Sequence, residues 1–245
     1  MKLEKHELER YDRQIRIFGV EGQVKLKNTR VLVAGVGGLG SASALYLVAA
    51  GFGEVILVDK EKVELSNLNR QILHWTEDVG RHKVESAVEK LKRLNPHVKV
   101  KGLPESLNKE NVFNLVSQVD LVVDGLDNWE TRFLLNEACV KLNKPFIHAG
   151  VYGMCGQLMV VIPGKTPCLR CVVSTPPPET KPLPVLGVTP GLLAMLQVME
   201  AIKIVTGCGE PLIGKMLVFN GEDSSFYQVE VGRRKNCPVC GVKKF

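Results

Sequence analysis

Short apolar segments alternate with segments of helical periodicity between residues 30 and 150, and this alternation constrains the fold most. Arg30-Val-Leu-Val-Ala34 and Glu54-Val-Ile-Leu-Val58 have no alternating polar face, which predicts strands buried on both sides. Residues 81–94 place apolar side chains at helical spacing and end just before Pro96, which predicts a helix. Buried strands separated by helices are typical of a parallel sheet covered on both faces.

The same reasoning predicts the remaining elements of this region. We expect strands at 98–100, 120–124 and 145–148, and helices at 111–117 and 129–142. The sequence therefore predicts an α/β fold, with a Rossmann-like, mostly parallel sheet and helices on both faces.

The pattern changes after residue 150. A strand is expected at 157–162, a proline-rich exposed crossover at 175–184, and a helix at 191–205. Two antiparallel strands are expected at 215–220 and 226–231. This smaller part of the fold is therefore predicted to be mixed or antiparallel.

We predict three regions along the chain. Residues 1–29 form an amino-terminal arm with a short helix, and residues 30–150 form the nucleotide-binding Rossmann-like region. Residues 151–245 form a carboxyl-terminal region of the same domain.

Composition excludes several classes of protein. The chain has 245 residues, of which 45% are hydrophobic and 24% are charged, as in soluble globular domains rather than disordered or fibrous chains. The longest apolar stretches are interrupted by polar residues such as Glu200, so no membrane span is expected. A charged amino terminus without an apolar segment favours a cytoplasmic location. The basic residues near the carboxyl end lack interleaved aromatic residues, which argues against nucleic-acid binding.

A glycine-rich turn follows the first predicted strand. Its three motif glycines, Gly35, Gly37 and Gly40, lie between the strand and a helix, where backbone N–H groups can approach a phosphate. Asp59 ends the next strand, nineteen residues after Gly40, where a carboxylate can accept hydrogen bonds from ribose. A glycine turn that only packs the helix on the strand is the structural alternative.

The segment after Asp59 is polar and basic. Arg70 offers a forked donor to phosphate oxygens, and Asn67 and Gln71 offer amide donors. Lys83 adds a point charge near the start of the next helix, although a solvent-exposed helix face is the alternative reading. Together with Arg13, these residues suit a polyphosphate better than a dinucleotide.

A second polar cluster, Asp124-Gly-Leu-Asp-Asn128, ends another predicted parallel strand. Ligands bind at this edge of open α/β sheets, and carboxylates beside basic residues suggest Mg²⁺ on phosphates. The alternative is that Asp127 or Asn128 caps the following helix.

Four of the seven cysteines form two Cys-x-x-Cys pairs separated by 65 residues. Each pair can provide half of a tetrahedral zinc site, which predicts structural Zn²⁺ that ties the carboxyl-terminal tail to the domain. The predicted ligands are Cys168, Cys171, Cys237 and Cys240. The remaining cysteines, Cys139, Cys155 and Cys208, are expected to be small core residues.

These features resemble those of one family. Five of them occur in the order seen in the ThiF/MoeB/HesA family, whose members are bacterial and archaeal relatives of ubiquitin-activating enzymes. They are Glu9-Arg-Tyr-Asp-Arg-Gln14, Gly35-x-Gly-Gly-Leu-Gly40 (which includes Gly38), Ser66-Asn-Leu-Asn-Arg-Gln71, Asp124-x-x-Asp-Asn128 and the two cysteine pairs. The resemblance extends from about Leu8 to Cys240.

The resemblance implies an adenylyltransferase that uses ATP and Mg²⁺. Its implied substrate is the carboxyl-terminal Gly-Gly of a small ubiquitin-like sulfur-carrier protein, of the molybdopterin or thiamine biosynthesis type, and pyrophosphate is released. It further implies a homodimer. By position, Asp59 binds ribose, Asp127 is the Mg²⁺-associated aspartate, and Arg13 reaches the partner subunit's ATP. The implied phosphate ligands are Asn67, Arg70, Gln71 and Lys83.

One departure from the family pattern concerns the crossover. Many relatives carry a cysteine shortly before the Gly-Val that opens the last long helix, but residues 179–188 contain none. This argues against a persulfide or thioester step on that segment. Two other functions remain open, namely activation of another carboxylate on a peptide or modified tRNA, and NAD(P)-dependent oxidoreduction. Arg70, Lys83 and Asp127 argue against oxidoreduction, because hydride transfer has no use for a pyrophosphate clamp.

Overall fold

The computed structural model describes residues 2–177 and 182–241, so that the predicted proline-rich crossover lies partly outside the described residues. The helices are α1 (Lys5–Arg10), α2 (Asp12–Lys27), α3 (Gly38–Ala50), α4 (Lys83–Leu94), α5 (Val112–Ser117), α6 (Trp129–Lys141), α7 (Leu169–Val172) and α8 (Val188–Thr206). The strands are β1 (Arg30–Ala34), β2 (Glu54–Val58), β3 (Lys99–Leu103), β4 (Leu121–Asp124), β5 (Phe146–Tyr152), β6 (Cys155–Val161), β7 (Lys215–Asn220) and β8 (Ser225–Glu230).

The strands form one sheet in the order β3-β2-β1-β4-β5-β6-β7-β8. Strands β1 to β5 pair in parallel, whereas β5 to β8 pair antiparallel. This arrangement confirms the predicted parallel sheet followed by an antiparallel part. The two parts share one continuous sheet across residue 150.

Both faces of the parallel strands are covered by helices. In β1, Val31 and Val33 pack in a core with α3, α4 and α8, while Leu32 and Ala34 pack in a second core with α5 and α6. Burial on both sides explains why these strands lack an alternating polar face. It also leaves the ends of the strands as the edge where polar side chains can gather.

The amino-terminal region is more regular than its weak sequence pattern predicts. Helices α1 and α2 replace the expected arm and short helix, and α2 bends at Gly19, where φ is 75°. Buried polar contacts fix this region to the domain: Gln14 Nε2 donates to the Ala50 carbonyl (2.8 Å) and Asn95 Nδ2 donates to the Tyr11 hydroxyl (2.8 Å). Tertiary hydrogen bonds of this kind leave no periodic signal in the sequence.

Helix α8 is the longest helix among the described residues. By length and composition alone it could cross a membrane, although the sequence analysis expects no membrane span. In the structure it packs on α3, β5 and β6, and Leu193, Ala194 and Ala201 are fully buried. Its apolar composition is that of a core helix.

Candidate functional site

Three glycines bring the ends of β1 and β4 into contact. Gly35 has φ of +87°, in the left-handed region, and a Cβ there would lie 2.6 Å from the Gly125 carbonyl oxygen. A Cβ on Gly40 would lie 1.8 Å from the Gly35 carbonyl oxygen. Because β2 lies on one side of β1 and β4 on the other, the contact marks the point at which the strand order reverses, where open α/β sheets bind ligands.

A cavity of about 1050 Å³ opens above this contact. Gly35, Gly37 and Gly38 of the glycine turn line it, at the amino terminus of α3. The structure brings six further predicted residues to the same cavity: Asp59, Arg70, Gln71, Lys83, Asp127 and Asn128. Gly40, Asn67 and Arg13 are not among its described lining residues.

Asp59 connects the glycine turn to the loop after β2. Its Oδ2 accepts from the Val36 N–H (2.7 Å) and its Oδ1 from the Glu61 N–H (2.8 Å). Burial raises the pKa of the Asp59 carboxyl, while the two N–H donors and Lys83 oppose this rise. Both oxygens keep lone pairs that a ribose hydroxyl could use.

Lys83 is buried at the start of α4 rather than on a solvent-exposed helix face. Its side chain is 3% exposed, and Nζ donates to Oε2 of Glu61 at 2.6 Å. Sequence reasoning missed Glu61. The signal available was an acidic residue two positions after Asp59, which places it beside the predicted ribose site.

The predicted phosphate ligands in the segment from 66 to 71 differ in their position relative to the cavity. Asn67 is buried, and its Oδ1 accepts from the Glu64 N–H (3.1 Å), which stabilises the turn; it is not among the described residues that line the cavity. Arg70 does line the cavity, with Nη1 held by the Ser66 carbonyl (2.9 Å) and Asn69 Oδ1 (3.0 Å). Gln71 is also buried, and its Oε1 has no hydrogen-bond partner among the described residues.

Asp127 and Asn128 follow β4 and have different surroundings. Asp127 is exposed at the cavity, with Asn128 Nδ2 3.4 Å from its Oδ1. Asn128 caps α6, because its Oδ1 accepts from the Thr131 N–H at 2.9 Å. The capping alternative therefore holds for Asn128, whereas Asp127 is free to face a ligand.

A buried ionic cluster lies beneath this loop. Asp124 is fully buried; its Oδ2 contacts His148 Nδ1 (2.6 Å) and accepts from Arg132 Nε (3.1 Å), while Oδ1 accepts from the Leu126 N–H (2.9 Å). Arg132 also donates to the carbonyls of Leu126 and Ala149. Asp124 is thus committed to protein contacts and is not available to a metal.

Sequence reasoning left His148 and Arg132 out of this cluster. His148 lies on β5 and is fully buried. Arg132 lies on α6, where a basic residue four positions after the Asn128 cap has no distinctive pattern. The contact of His148 with Asp124 depends on the pairing of β4 with β5, and that of Arg132 depends on the packing of α6 against the sheet, so no local pattern records either.

Arg13 is exposed on α2 and is not among the described residues that line the cavity. The flanking residues Tyr11 and Gln14 anchor the helix to the domain through the contacts given above. Arg13 is therefore an exposed residue on a helix that is fixed to the domain, and it does not line the described cavity together with the other predicted site residues.

The four cysteines of the two pairs converge. Their sulfur atoms all lie within 4.8 Å of one another, with Cys168 and Cys237 Sγ at 3.6 Å and Cys171 and Cys240 Sγ at 3.3 Å. Helix α7, which the sequence analysis did not predict, carries Cys171 and begins just after Cys168. A tetrahedral metal held by four thiolates at about 2.3 Å places its sulfur atoms about 3.8 Å apart, so the cluster fits such an ion.

The other three cysteines differ in their surroundings. Cys139 is buried in α6, and burial raises the pKa of its thiol. Cys208 is half-buried, whereas Cys155 is exposed and lines the large cavity. The predicted core position is therefore wrong for Cys155.

Comparison with known proteins gives a consistent result. The model of the ThiF family matches residues 11–239. A sulfur carrier protein adenylyltransferase of Thermus thermophilus is 42% identical, over 98% of this chain and 93% of that protein. An adenylyltransferase and sulfurtransferase MOCS3 of Drosophila persimilis is 41% identical over 99% of this chain, which spans about half (55%) of the MOCS3 length.

Solved structures share the fold. The structure of E. coli MccB with ATP superposes with a TM-score of 0.83 and 27% identity, covering 98% of this chain and 76% of that one. MccB in complex with N-formylated MccA gives a TM-score of 0.82 and 27% identity, covering 95% and 75% of the two chains.

Two buried imidazoles predict a pH dependence of stability: His148, which contacts Asp124, and His74, whose Nε2 lies 3.1 Å from the Val36 carbonyl oxygen. Burial lowers the pKa of His74 and His148 from the ordinary value of 6.5, because it disfavours the imidazolium ion. As the pH falls, the two imidazoles therefore bind protons at a higher pH in the unfolded chain than in the folded protein. The stability that depends on these neutral imidazoles is complete above that pH and decreases below it.

We expect the free energy of unfolding, measured by chemical denaturation, to decrease between about pH 6.5 and about pH 5. NMR titration of the two imidazoles in the folded protein provides the matching control. A free energy of unfolding that stays constant over this interval, or imidazoles that titrate as in a peptide, would contradict the assignment.

Proposed function

The chain belongs to the ThiF family, and we propose that it uses ATP to adenylate the carboxyl-terminal glycine of a small ubiquitin-like sulfur-carrier protein. One observation carries the proposal: the glycine turn, Lys83 and Arg70 line a single cavity at the point where the strand order reverses. The 42% identity to a sulfur carrier protein adenylyltransferase, over 93% of its length, supports the choice of substrate.

The chemistry requires positioning and charge neutralisation. A glycine carboxylate oxygen attacks the α-phosphorus of ATP, the bond to the β-phosphate oxygen breaks, and pyrophosphate leaves with the electron pair. No general base is needed, because the carboxylate is already ionised. The barrier comes from repulsion between two anions, so cations around the triphosphate lower it.

The residues of the cavity suit these roles. The N–H groups of the glycine turn, at the amino terminus of α3, face the phosphates, and Lys83 and Arg70 neutralise them. Asp59 accepts hydrogen bonds from ribose. Asp127, an exposed carboxylate at the same cavity, fits an ion that prefers oxygen ligands, and Mg²⁺ there would neutralise charge on the departing pyrophosphate.

Activation of a different carboxylate is the second candidate. The solved complex of MccB with N-formylated MccA has the same fold, although its identity to this chain is only 27%. The greater identity to the sulfur carrier protein adenylyltransferase favours a carrier protein over other carboxylates.

An exchange assay tests the reaction. With a carrier protein ending in Gly-Gly, the wild-type enzyme should exchange labelled pyrophosphate into ATP. We expect Lys83→Met to lower this exchange at least about a hundredfold, equal to about 2.7 kcal/mol of transition-state stabilisation. Lys60→Met is the matched control, because Lys60 is an exposed lysine on the wall of the same cavity. Equal losses in both variants, or exchange only with other carboxylates, would contradict the proposal.

The cysteine cluster is proposed to hold one structural Zn²⁺. Four thiolates leave no open ligand position, so the ion has no role in adenylation and ties residues 237–240 to α7. Thiolate sites of this type occur in reducing compartments, which agrees with a cytoplasmic location.

Metal analysis of purified protein should find about one zinc per chain. Cys237→Ser should lose most of the zinc and expose the carboxyl-terminal tail to proteases, while the parallel strands stay folded. Cys155→Ser, which changes a cysteine outside the cluster, should keep the zinc. Wild-type protein with less than about half an equivalent of zinc would contradict this proposal.

A homodimer is proposed from exposed apolar side chains on neighbouring helices. Ile17 on α2, Tyr46 on α3 and Met199 on α8 are more than half exposed, at 73%, 51% and 56%. Helices α2 and α8 pack together, as do α3 and α8. Covering this surface with a second copy would place Arg13, which also lies on α2, against the partner molecule.

Complementation tests whether Arg13 acts across this interface. Arg13→Ala and Asp127→Ala homodimers should each be inactive in the exchange assay. Mixing them should restore up to one working site per mixed dimer, because an intact Arg13 then reaches a site with an intact Asp127. No recovery, with subunit exchange verified by mass spectrometry, would show that Arg13 does not act in trans.

A further inference from the structure

Glu61 contacts the principal phosphate-binding cation from inside the cavity. Its carboxylate accepts from Lys83 Nζ at 2.6 Å, and its backbone N–H donates to Asp59. The Glu61 carbonyl accepts from the Lys83 N–H at 2.9 Å, so the two residues are joined through both backbone and side chain. Both line the cavity.

The two partners differ in their exposure. The Lys83 side chain is 3% exposed, whereas that of Glu61 is 54% exposed. A buried ammonium group is costly unless a counter-charge accompanies it, so Lys83 needs an anion. Glu61 can turn into solvent, but Lys83 has no comparable freedom.

We infer that Glu61 and the triphosphate compete for the same ammonium group, which makes Glu61 a residue that sets the affinity for polyphosphates. The inference rests on the proposed function only in identifying the competing anion as ATP. The carboxylate supplies the counter-charge that Lys83 requires, and a phosphate that binds Nζ takes over this role.

This competition favours ligands that are rich in negative charge. A polyphosphate that reaches Lys83 replaces the ion pair that Lys83 loses when Glu61 is displaced. It also gains contacts with Arg70 and the glycine turn. A nucleoside without phosphates does not reach Nζ, so it neither displaces Glu61 nor gains from its removal. Glu61 therefore affects the phosphate part of the ligand and leaves the adenosine part unchanged.

The test compares Glu61→Gln with Glu105→Gln in the zinc-loaded protein. Glu105 is an exposed carboxylate on the wall of the same cavity, so its removal changes the net charge equally. The amide introduced by Glu61→Gln keeps an oxygen that accepts from Lys83, which protects the fold. Isothermal titration measures the Kd of ATP, inorganic tripolyphosphate and adenosine for each variant.

We expect Glu61→Gln to lower the Kd of ATP and of tripolyphosphate about tenfold, because a neutral acceptor competes less well than a carboxylate. Glu105→Gln should change them no more than about twofold, and adenosine should bind equally to all forms. In a Lys83→Met background, Glu61→Gln should no longer tighten binding.

Unchanged or weaker anion binding to Glu61→Gln, or equal tightening in both variants, would overturn the inference. So would the absence of any anion binding to Glu61→Gln. Tightened tripolyphosphate binding without ATP–pyrophosphate exchange would refute the adenylation reaction but leave the competition intact.

Discussion

The close approach of three glycine backbones is the constraint on which the site depends. A Cβ on Gly40 would come within 1.8 Å of the Gly35 carbonyl oxygen, and one on Gly125 within 2.7 Å of the same atom. Any side chain at these positions would push β1, α3 and the loop after β4 apart. Their contact opens the cavity at the reversal of strand order, with the amino terminus of α3 facing it.

Side chains then fix the two turns that meet there. In the glycine turn, the Val36 N–H donates to Asp59 and the Val36 carbonyl accepts from His74 Nε2 (3.1 Å). In the loop after β4, the Leu126 N–H donates to Asp124 and its carbonyl accepts from Arg132. Each turn is held at both polar groups of one residue. Lys83, Arg70 and Asp127 line the cavity beside these two turns.

Periodicity and residue type predict much of this arrangement. The bounds of β1 and β2 agree with their apolar segments, and the spacing of the cysteine pairs predicts the cluster that the structure assembles. The partners of polar side chains could not be predicted. Asn67 stabilises its own turn and Lys83 pairs with Glu61, because such contacts depend on where distant backbone segments place each atom. Patterns along the chain identify which groups reach the edge of the sheet, but not which of them bind one another.

A crystal structure with Mg²⁺ and a non-hydrolysable ATP analogue tests the central claim most directly. The α-phosphate should contact the N–H groups between Gly35 and Gly38, the ribose should contact Asp59, and the outer phosphates should contact Lys83 and Arg70. Glu61 should have turned away from Lys83. A nucleotide with its phosphates directed away from Lys83, or bound outside this cavity, would contradict the account.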